Sequence, residues 1–167
     1  MRYACCRLDG RSGHEAAWSL LRQLYREETG LPLPSVRLSP AGKPYFPGSP
    51  YRFSLAHSGR HAFCVLGTQP VGIDAEELDR PIRLALARRV LSQDEYLQFL
   101  AAPDRRRAFL TFWVLKEAQV KFTGHGLRGF PNHTHFDLSD PRVWEWDGCL
   151  VAMITGNDTR KDASDAI

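Results

Sequence analysis

Two carboxylates, two residues apart, close a hydrophobic stretch near the middle of the chain, in the segment VGIDAE. Alternate residues of a strand point to the same face, so Asp74 and Glu76 can direct their oxygens to one point. Two like charges this close favour a cation between them, and carboxylate oxygens suit Mg²⁺ or Mn²⁺ bound jointly with a phosphate. The alternative is a solvated strand end that runs into an acidic loop, because Glu77 and Asp79 follow.

A second set of charges lies within the apolar segment FLTFWVLKEAQVKF, residues 109–122. Apolar residues cover most of the circumference of this predicted helix, so we expect it to be buried. Glu117 and Lys121 stand four residues apart and share one face, where a charge must be paired or bind something. Either the two residues pair with each other, or Glu117 gives the metal a third oxygen ligand and Lys121 binds a phosphate.

Two loop motifs offer further groups to an anion. The segment AHSG presents the imidazole of His57, the hydroxyl of Ser58 and backbone N–H groups before a predicted strand. The segment GKP places Lys43 beside the rigid Pro44, where a phosphate or an adenine could be held. Each motif alone is also compatible with ordinary structure or surface. Together with the carboxylates they indicate a Mg²⁺-dependent enzyme that acts on a nucleotide-like pyrophosphate, by hydrolysis or by transfer.

The apolar patterns predict the elements that must position these groups. They are strands at 3–8, 53–55, 61–67, 71–76, 134–138, 143–146 and 149–155, and helices at 12–28, 79–91, 92–101 and 104–123. The strands at 61–67 and 71–76 are predicted to form a hairpin around Thr68 to Pro70. This order is compatible with two α+β halves, 1–69 and 70–155, followed by a polar, flexible tail at 156–167.

Composition narrows the class of protein. With 43% hydrophobic and 11% aromatic residues, the 167-residue chain can bury one core or two small halves packed together. We expect a cytoplasmic protein, because no apolar run reaches the roughly 18 residues of a membrane span and no signal peptide is evident. The four cysteines have no metal-ligand spacing and favour free thiols. The net charge of +3 does not by itself indicate nucleic acid.

Four motifs occur in the order of a known family: GKPYF, FSLAHSG, VGIDAE and FWVLKEAQVKFTGHGL, spread over residues 42–130. In these segments the chain resembles the 4′-phosphopantetheinyl transferase superfamily, in its pseudo-dimeric, surfactin-synthetase-activating type. The resemblance implies transfer of 4′-phosphopantetheine from coenzyme A to a serine of an apo acyl or peptidyl carrier protein, with release of 3′,5′-ADP. It also implies two similar α+β halves related by a pseudo-twofold, each a small antiparallel sheet packed with helices, with coenzyme A between them.

The resemblance also implies roles for single residues. Asp74, Glu76 and Glu117 match the family's Mg²⁺ ligands, with Mn²⁺ as a substitute. The residues matching those that bind coenzyme A are Lys43 and Pro44 near the adenine, and His57, Ser58 and Lys121 near the phosphates. Catalysis is implied for Glu117 and Lys121, and the base is either Glu95 or a metal-bound water.

The resemblance leaves alternatives for one residue, for the strength of coenzyme A binding and for the function. Glu95 has an alternative role, because the spacing from Ser92 is that of a capping box. Ala56 replaces a serine that is common in the family, and a basic N-terminal segment is not recognisable, so we expect weaker coenzyme A binding. The rival functions are a coenzyme A or carrier-binding module without activity and a Mg²⁺-dependent nucleotide pyrophosphatase.

The expected partners are the donor coenzyme A and an acidic carrier protein, with no nucleic acid and no membrane. Arg88, Arg89 and the run from Arg105 to Arg107 could steer the carrier, and Tyr96 could offer an apolar contact. Phe99 and Leu100 could offer the same kind of contact. We expect a monomer, since both halves occur in one chain.

Overall fold

The computed structural model describes residues 1–126 and 134–156. The strands are β1 (Arg2–Arg7), β2 (Arg37–Leu38), β3 (Pro44–Tyr45), β4 (Arg52–Ser58), β5 (His61–Gly67), β6 (Val71–Glu77), β7 (Val143–Trp146) and β8 (Cys149–Thr155). The helices are α1 (Gly13–Thr29), α2 (Leu84–Val90), α3 (Gln93–Ala101) and α4 (Arg105–Thr123). In this part of the chain no helix is both long and apolar enough to cross a membrane.

Two three-stranded antiparallel sheets form the framework, and both have the same connectivity. The first sheet has the order β1-β5-β4 and the second the order β6-β8-β7. In each sheet the first strand is followed by helical chain and then by a hairpin whose last strand lies in the middle. This repetition confirms the expected α+β fold of two similar halves.

Three apolar clusters hold the layers together. One lies between α1 and the first sheet, one between the second sheet and the helices α2 to α4, and one between the two sheets. Strand β5 contributes to two of them: Phe63 and Val65 face the second sheet, whereas Ala62, Cys64 and Leu66 face α1. Because both faces of β5 are covered, this strand is an unbroken apolar run instead of an alternating one.

The helix ends follow the sequence signals. The predicted capping box at Ser12 is present, since its side chain accepts from the backbone N–H of Glu15, and Gly30 ends α1 with a left-handed backbone. Asp104 caps α4, and Gly124 ends it in the same left-handed conformation. Ser12 and Asp104 therefore set where α1 and α4 begin, and Gly30 and Gly124 set where they end.

Several predicted elements were wrong. Strands β5 and β6 do not form a hairpin, because β5 pairs with β1 and β4 while β6 pairs with β8 in the other sheet. Residues 134–138 form no strand. Helix α2 begins at Leu84, later than predicted, and the short pair β2 and β3 lies where loop was expected. The predicted tail lies outside the described residues except for Gly156.

Candidate functional site

The two halves meet where β4, an edge strand of the first sheet, runs beside β6 of the second. Ser54 Oγ accepts a hydrogen bond from the backbone N–H of Ile73 at 3.1 Å, and Ser58 Oγ accepts one from Glu77 at 3.2 Å. The donors and the acceptors are each four residues apart, so the two strands run in the same direction. Side-chain hydroxyls therefore take the place of a backbone ladder at this seam.

Helix α4 lies directly on the opposite face of β6. A side chain at Gly72 would place its Cβ 2.0 Å from the carbonyl oxygen of Ala118 and 2.5 Å from the backbone nitrogen of Phe122. The missing Cβ thus allows the helix backbone to approach the strand closely. This contact brings the charged residues of α4 to those of β6.

Asp74 and Glu76 point to the α4 face of the strand. Their neighbours Ile73 and Ala75 are buried in the cluster between the sheets. Because side chains alternate along a strand, Asp74 and Glu76 lie on its opposite face. Asp74 is buried, and Glu76 is partly exposed. The shared face inferred from their spacing is therefore present in the structure.

Lys121 joins the two halves through this face. Its Nζ lies 2.8 Å from Asp74 Oδ1 and donates to the carbonyl oxygen of Leu55 on β4 at 3.1 Å. The ion pair of Lys121 is thus with a strand carboxylate, and the alternative of an internal pair with Glu117 gains no support. The ammonium group sits at the centre of the seam.

Glu117, one helical turn before Lys121, lies near Asp74. Burial raises the pKa of the Glu117 carboxyl, and the negative charge of Asp74 raises it further. Burial also raises the pKa of Asp74, although the ion pair with Lys121 opposes that shift. Two buried carboxylates this close to each other favour an added cation, which would offset their mutual repulsion.

Glu76 is held from two sides. Its Oε2 accepts a hydrogen bond from Ser58 Oγ at 2.8 Å, while its Oε1 contacts the guanidinium of Arg80. That guanidinium also lies 5.5 Å from the ring centroid of Trp113 on α4. Each strand carboxylate therefore faces a basic side chain, Lys121 for Asp74 and Arg80 for Glu76.

The described residues contain no preformed cluster of three metal-binding side chains. The donor set nevertheless fits a divalent ion such as Mg²⁺: the candidates are hard oxygen ligands, and burial raises the pKa of both Asp74 and Glu117, so a cation beside them would stabilise their charged forms. Asp74, Glu76 and Glu117 would hold the ion, and Lys121 and Arg80 would turn towards a bound anion.

A pocket of about 230 Å³ opens at one end of the seam. Its wall includes Lys43, Pro44 and Lys121, with Gly124 and Gly126 beyond the end of α4. Lys43 Nζ donates to the carbonyl oxygen of Phe122 at 3.0 Å, and burial lowers the pKa of Lys43 to about 8. The structure thus brings together, in one pocket, cations predicted from two distant motifs.

His57 lies elsewhere on β4. Its side chain is exposed, and its ring packs against Gly13 at the start of α1, where a Cβ would lie 2.7 Å from the ring. The residue therefore sits on the α1 side of the seam and does not line the pocket at Lys43.

Glu95 does not belong to the group of charged residues at the seam, because it is buried among contacts of its own. Its side chain is fully buried, its Oε2 lies 2.8 Å from Lys116 Nζ and accepts from the backbone N–H of Ser92, and its Oε1 accepts from that of Phe136. The capping box that was the alternative is present. These contacts support the alternative of helix capping and ion pairing, and the role of Glu95 as the base stays a prediction.

Sequence reasoning missed Arg80, Trp113 and Ser54. Spacing could have indicated Trp113, which precedes Glu117 by one helical turn on α4. Arg80 reaches Glu76 through the turn that follows β6, which the helical spacing rule does not cover. The role of Ser54 depends on how the two sheets meet, which local sequence does not reveal.

Comparisons with known proteins find 4′-phosphopantetheinyl transferases among the sequences that the chain resembles. A sequence model of the 4′-phosphopantetheinyl transferase superfamily matches residues 70–152. The chain is 38% identical over 113 residues to the 4′-phosphopantetheinyl transferase psf-1 of Bacillus pumilus, covering 65% of this chain and 48% of that protein. It is 35% identical to the 4′-phosphopantetheinyl transferase Sfp of Bacillus subtilis, covering 65% and 50%.

The chain thus spans about half the length of these relatives. A holo-[acyl-carrier-protein] synthase structure from Thermotoga maritima is 25% identical over 52% of this chain and 61% of that one, with a TM-score of 0.37. The family match contains Asp74, Glu76, Glu117 and Lys121, the charged residues that the fold gathers at the seam. The chain belongs to the 4′-phosphopantetheinyl transferase superfamily.

Proposed function

We propose that this protein transfers the 4′-phosphopantetheine group from coenzyme A to a serine of an apo acyl or peptidyl carrier protein, releasing 3′,5′-ADP. One observation carries the proposal: the seam places the Asp74–Lys121 pair and Glu117 beside a pocket that Lys43 and Pro44 line. A nucleotide in the pocket would direct its phosphates to the cation and the carboxylates.

The chain's own residues would orient the donor. In the transfer, the serine oxygen forms a bond to the pantetheine-side phosphorus while the bond from that phosphorus to the ADP oxygen breaks, and the serine proton passes to a water molecule. Lys121, anchored to Leu55 on the other half, would stabilise the negative charge on the departing 5′-phosphate of 3′,5′-ADP. Mg²⁺ held by the three carboxylates would supply charge neutralisation at the same phosphates.

Binding of the diphosphate also gives Lys121 and Arg80 a new anionic partner. Both side chains now neutralise carboxylates of β6, and both are partly exposed. Transfer of these contacts to phosphate would leave the carboxylates to the metal, so that metal and coenzyme A support each other's binding. Lys43, whose pKa of about 8 leaves it mostly charged at neutral pH, would complete the pocket at its far end.

The proposed acceptor surface lies on the helices of the second half. Arg88 donates to Tyr96 Oη at 3.0 Å, so its charge is held at a defined place on α2 and α3. Arg105 donates to the carbonyl oxygen of Leu100, and Leu97 is exposed nearby in sequence. Basic groups beside exposed apolar ones suit an acidic carrier protein. We place this reaction in the cytoplasm, with the protein acting as a monomer.

The test measures the product directly. The protein is incubated with coenzyme A, Mg²⁺ and a panel of apo acyl and peptidyl carrier proteins, and each carrier is measured by intact mass, with EDTA as the control. We expect a gain of one phosphopantetheine group that EDTA prevents. Glu117→Gln should lower the rate by at least about two orders of magnitude while the protein stays folded, because a metal ligand is lost.

Other results would point to the rival functions. Release of 3′,5′-ADP without any change in carrier mass would indicate a nucleotide pyrophosphatase. Intact coenzyme A with every carrier, together with measurable coenzyme A binding, would indicate a binding module. A fully active Glu117→Gln variant would overturn the metal assignment.

A further inference from the structure

Ser58 makes two hydrogen bonds at the seam. Its Oγ donates to Glu76 Oε2 at 2.8 Å and accepts from the backbone N–H of Glu77 at 3.2 Å. A hydroxyl has one proton to donate, so in this arrangement the proton of Ser58 is committed to a carboxylate of the protein itself. We infer that Ser58 is a positioning residue that orients Glu76 towards the metal, and not a contact of coenzyme A.

Ser54 provides an internal comparison on the same strand. It lies four residues before Ser58, is buried, and accepts from the backbone N–H of Ile73 at 3.1 Å. Both serines fasten the backbone of β6 to β4, and their two bonds bracket the segment that carries the carboxylates. Of the two hydroxyls, that of Ser58 also orients a carboxylate.

The second oxygen of Glu76 shows what this orientation achieves. Glu76 Oε1 is turned to Arg80, whose guanidinium lies against Trp113 of α4. With Oε2 held by Ser58, the other oxygen faces the helix that carries Glu117. A metal ion could therefore take the place of Arg80 at Oε1 without a change in the Ser58 bond. Without that bond the carboxylate gains rotational freedom, which binding must then remove.

The inference rests on the proposed metal role of Glu76, so its test measures metal binding in the absence of turnover. Mn²⁺ alone is titrated into the protein, and free Mn²⁺ is followed by electron paramagnetic resonance. We expect Ser58→Ala to bind Mn²⁺ at least about tenfold more weakly than the wild-type protein, as for other groups that orient metal ligands. Ser54→Ala and Ser58→Thr should stay within about threefold of wild type, since each keeps a hydroxyl beside Glu76.

Two further measurements separate positioning from a merely structural role and from contact with coenzyme A. The Tm values of Ser58→Ala and Ser54→Ala should fall by similar amounts, because each variant loses one bond to β6. With EDTA present, coenzyme A should bind Ser58→Ala as it binds the wild-type protein.

Each opposite result overturns the inference. Unchanged Mn²⁺ affinity in Ser58→Ala, or an equal loss in Ser54→Ala, would show that Ser58 does not act through Glu76. Weaker metal-free binding of coenzyme A by Ser58→Ala would make Ser58 a contact of the donor. If the wild-type protein bound no Mn²⁺, the proposed metal site would be wrong. Mn²⁺ binding without modification of any carrier would refute the transferase but leave the result for Ser58 intact.

Discussion

At the scale of single residues, Glu95 and Lys116 form a buried ion pair to which we assign a structural role. Both side chains are 0% exposed, and the carboxylate also accepts from backbone N–H groups of Ser92 and Phe136. The pair joins α3 to α4 and to the segment that follows residue 134. Because Lys116 directly precedes Glu117, we expect the pair to help set the rotation of α4 over β6.

Neutralising the two charges together tests this assignment. Glu95→Gln or Lys116→Met alone leaves one charge buried without its partner and should cost about 3–5 kcal/mol of unfolding free energy. The double variant removes both charges and should recover most of that loss in urea unfolding. It should also retain phosphopantetheine transfer. A stable but inactive double variant would instead support Glu95 as the base, and additive losses would contradict the pairing.

At the scale of elements, the contact between β6 and α4 depends on Gly72. A Cβ there would collide with backbone atoms of α4, which cannot move aside as a flexible side chain could. We expect Gly72→Ala to lower the unfolding free energy by about 3 kcal/mol and to weaken Mn²⁺ binding, because Glu117 and Lys121 move away from Asp74.

The matched control is Gly67→Ala, at the end of β5. A Cβ at Gly67 would have its nearest neighbour, Met1, at 3.5 Å, which is ordinary contact. This variant should keep its stability within about 0.5 kcal/mol and its Mn²⁺ affinity unchanged. Equal behaviour of the two alanine variants in urea unfolding and Mn²⁺ titration would show that the close approach of α4 is not needed.

Strand β6 and helix α4 also show which features of the site could be predicted from the sequence. Alternation along β6 is local, so the shared face of Asp74 and Glu76 could be predicted without a fold. The pairing of Lys121 with Asp74 could not be predicted, because it depends on how α4 docks on a strand that is distant in the chain. The prediction of a hairpin at Thr68 to Pro70 was wrong for a related reason. A short connection between two strands usually pairs them, whereas here it passes from one sheet to the other.

At the scale of the whole molecule, a polar network joins the halves on the side of Asp147. Arg7 at the end of β1 donates to both oxygens of Asp147 at 2.6 and 2.7 Å, and His61 Nε2 lies 2.9 Å from the same carboxylate. His61 Nδ1 lies 3.2 Å from Cys149 Sγ on β8. The first half supplies Arg7 and His61 and the second half supplies Asp147 and Cys149, so the network crosses the interface between the sheets.

This network predicts a pH dependence of stability. Hydrogen bonds from Arg7, and then from His61, lower the pKa of Asp147 to about 2. A carboxylate with a lowered pKa stabilises the fold above its unfolded pKa of about 4, and that contribution is lost as the pH falls towards 2. In Asp147→Asn the contribution is absent, and asparagine tolerates the left-handed backbone found there.

The difference in unfolding free energy between the wild-type protein and Asp147→Asn should therefore be largest above about pH 4 and shrink steadily between about pH 4 and pH 2. Urea unfolding at several pH values measures it, with Asp94→Asn, an exposed carboxylate on α3, as the control for loss of one charge. A difference that does not change with pH would mean that Asp147 titrates alike in the folded and unfolded chains. In that case the network would not link the halves through charge, and the apolar cluster between the sheets would have to hold them together.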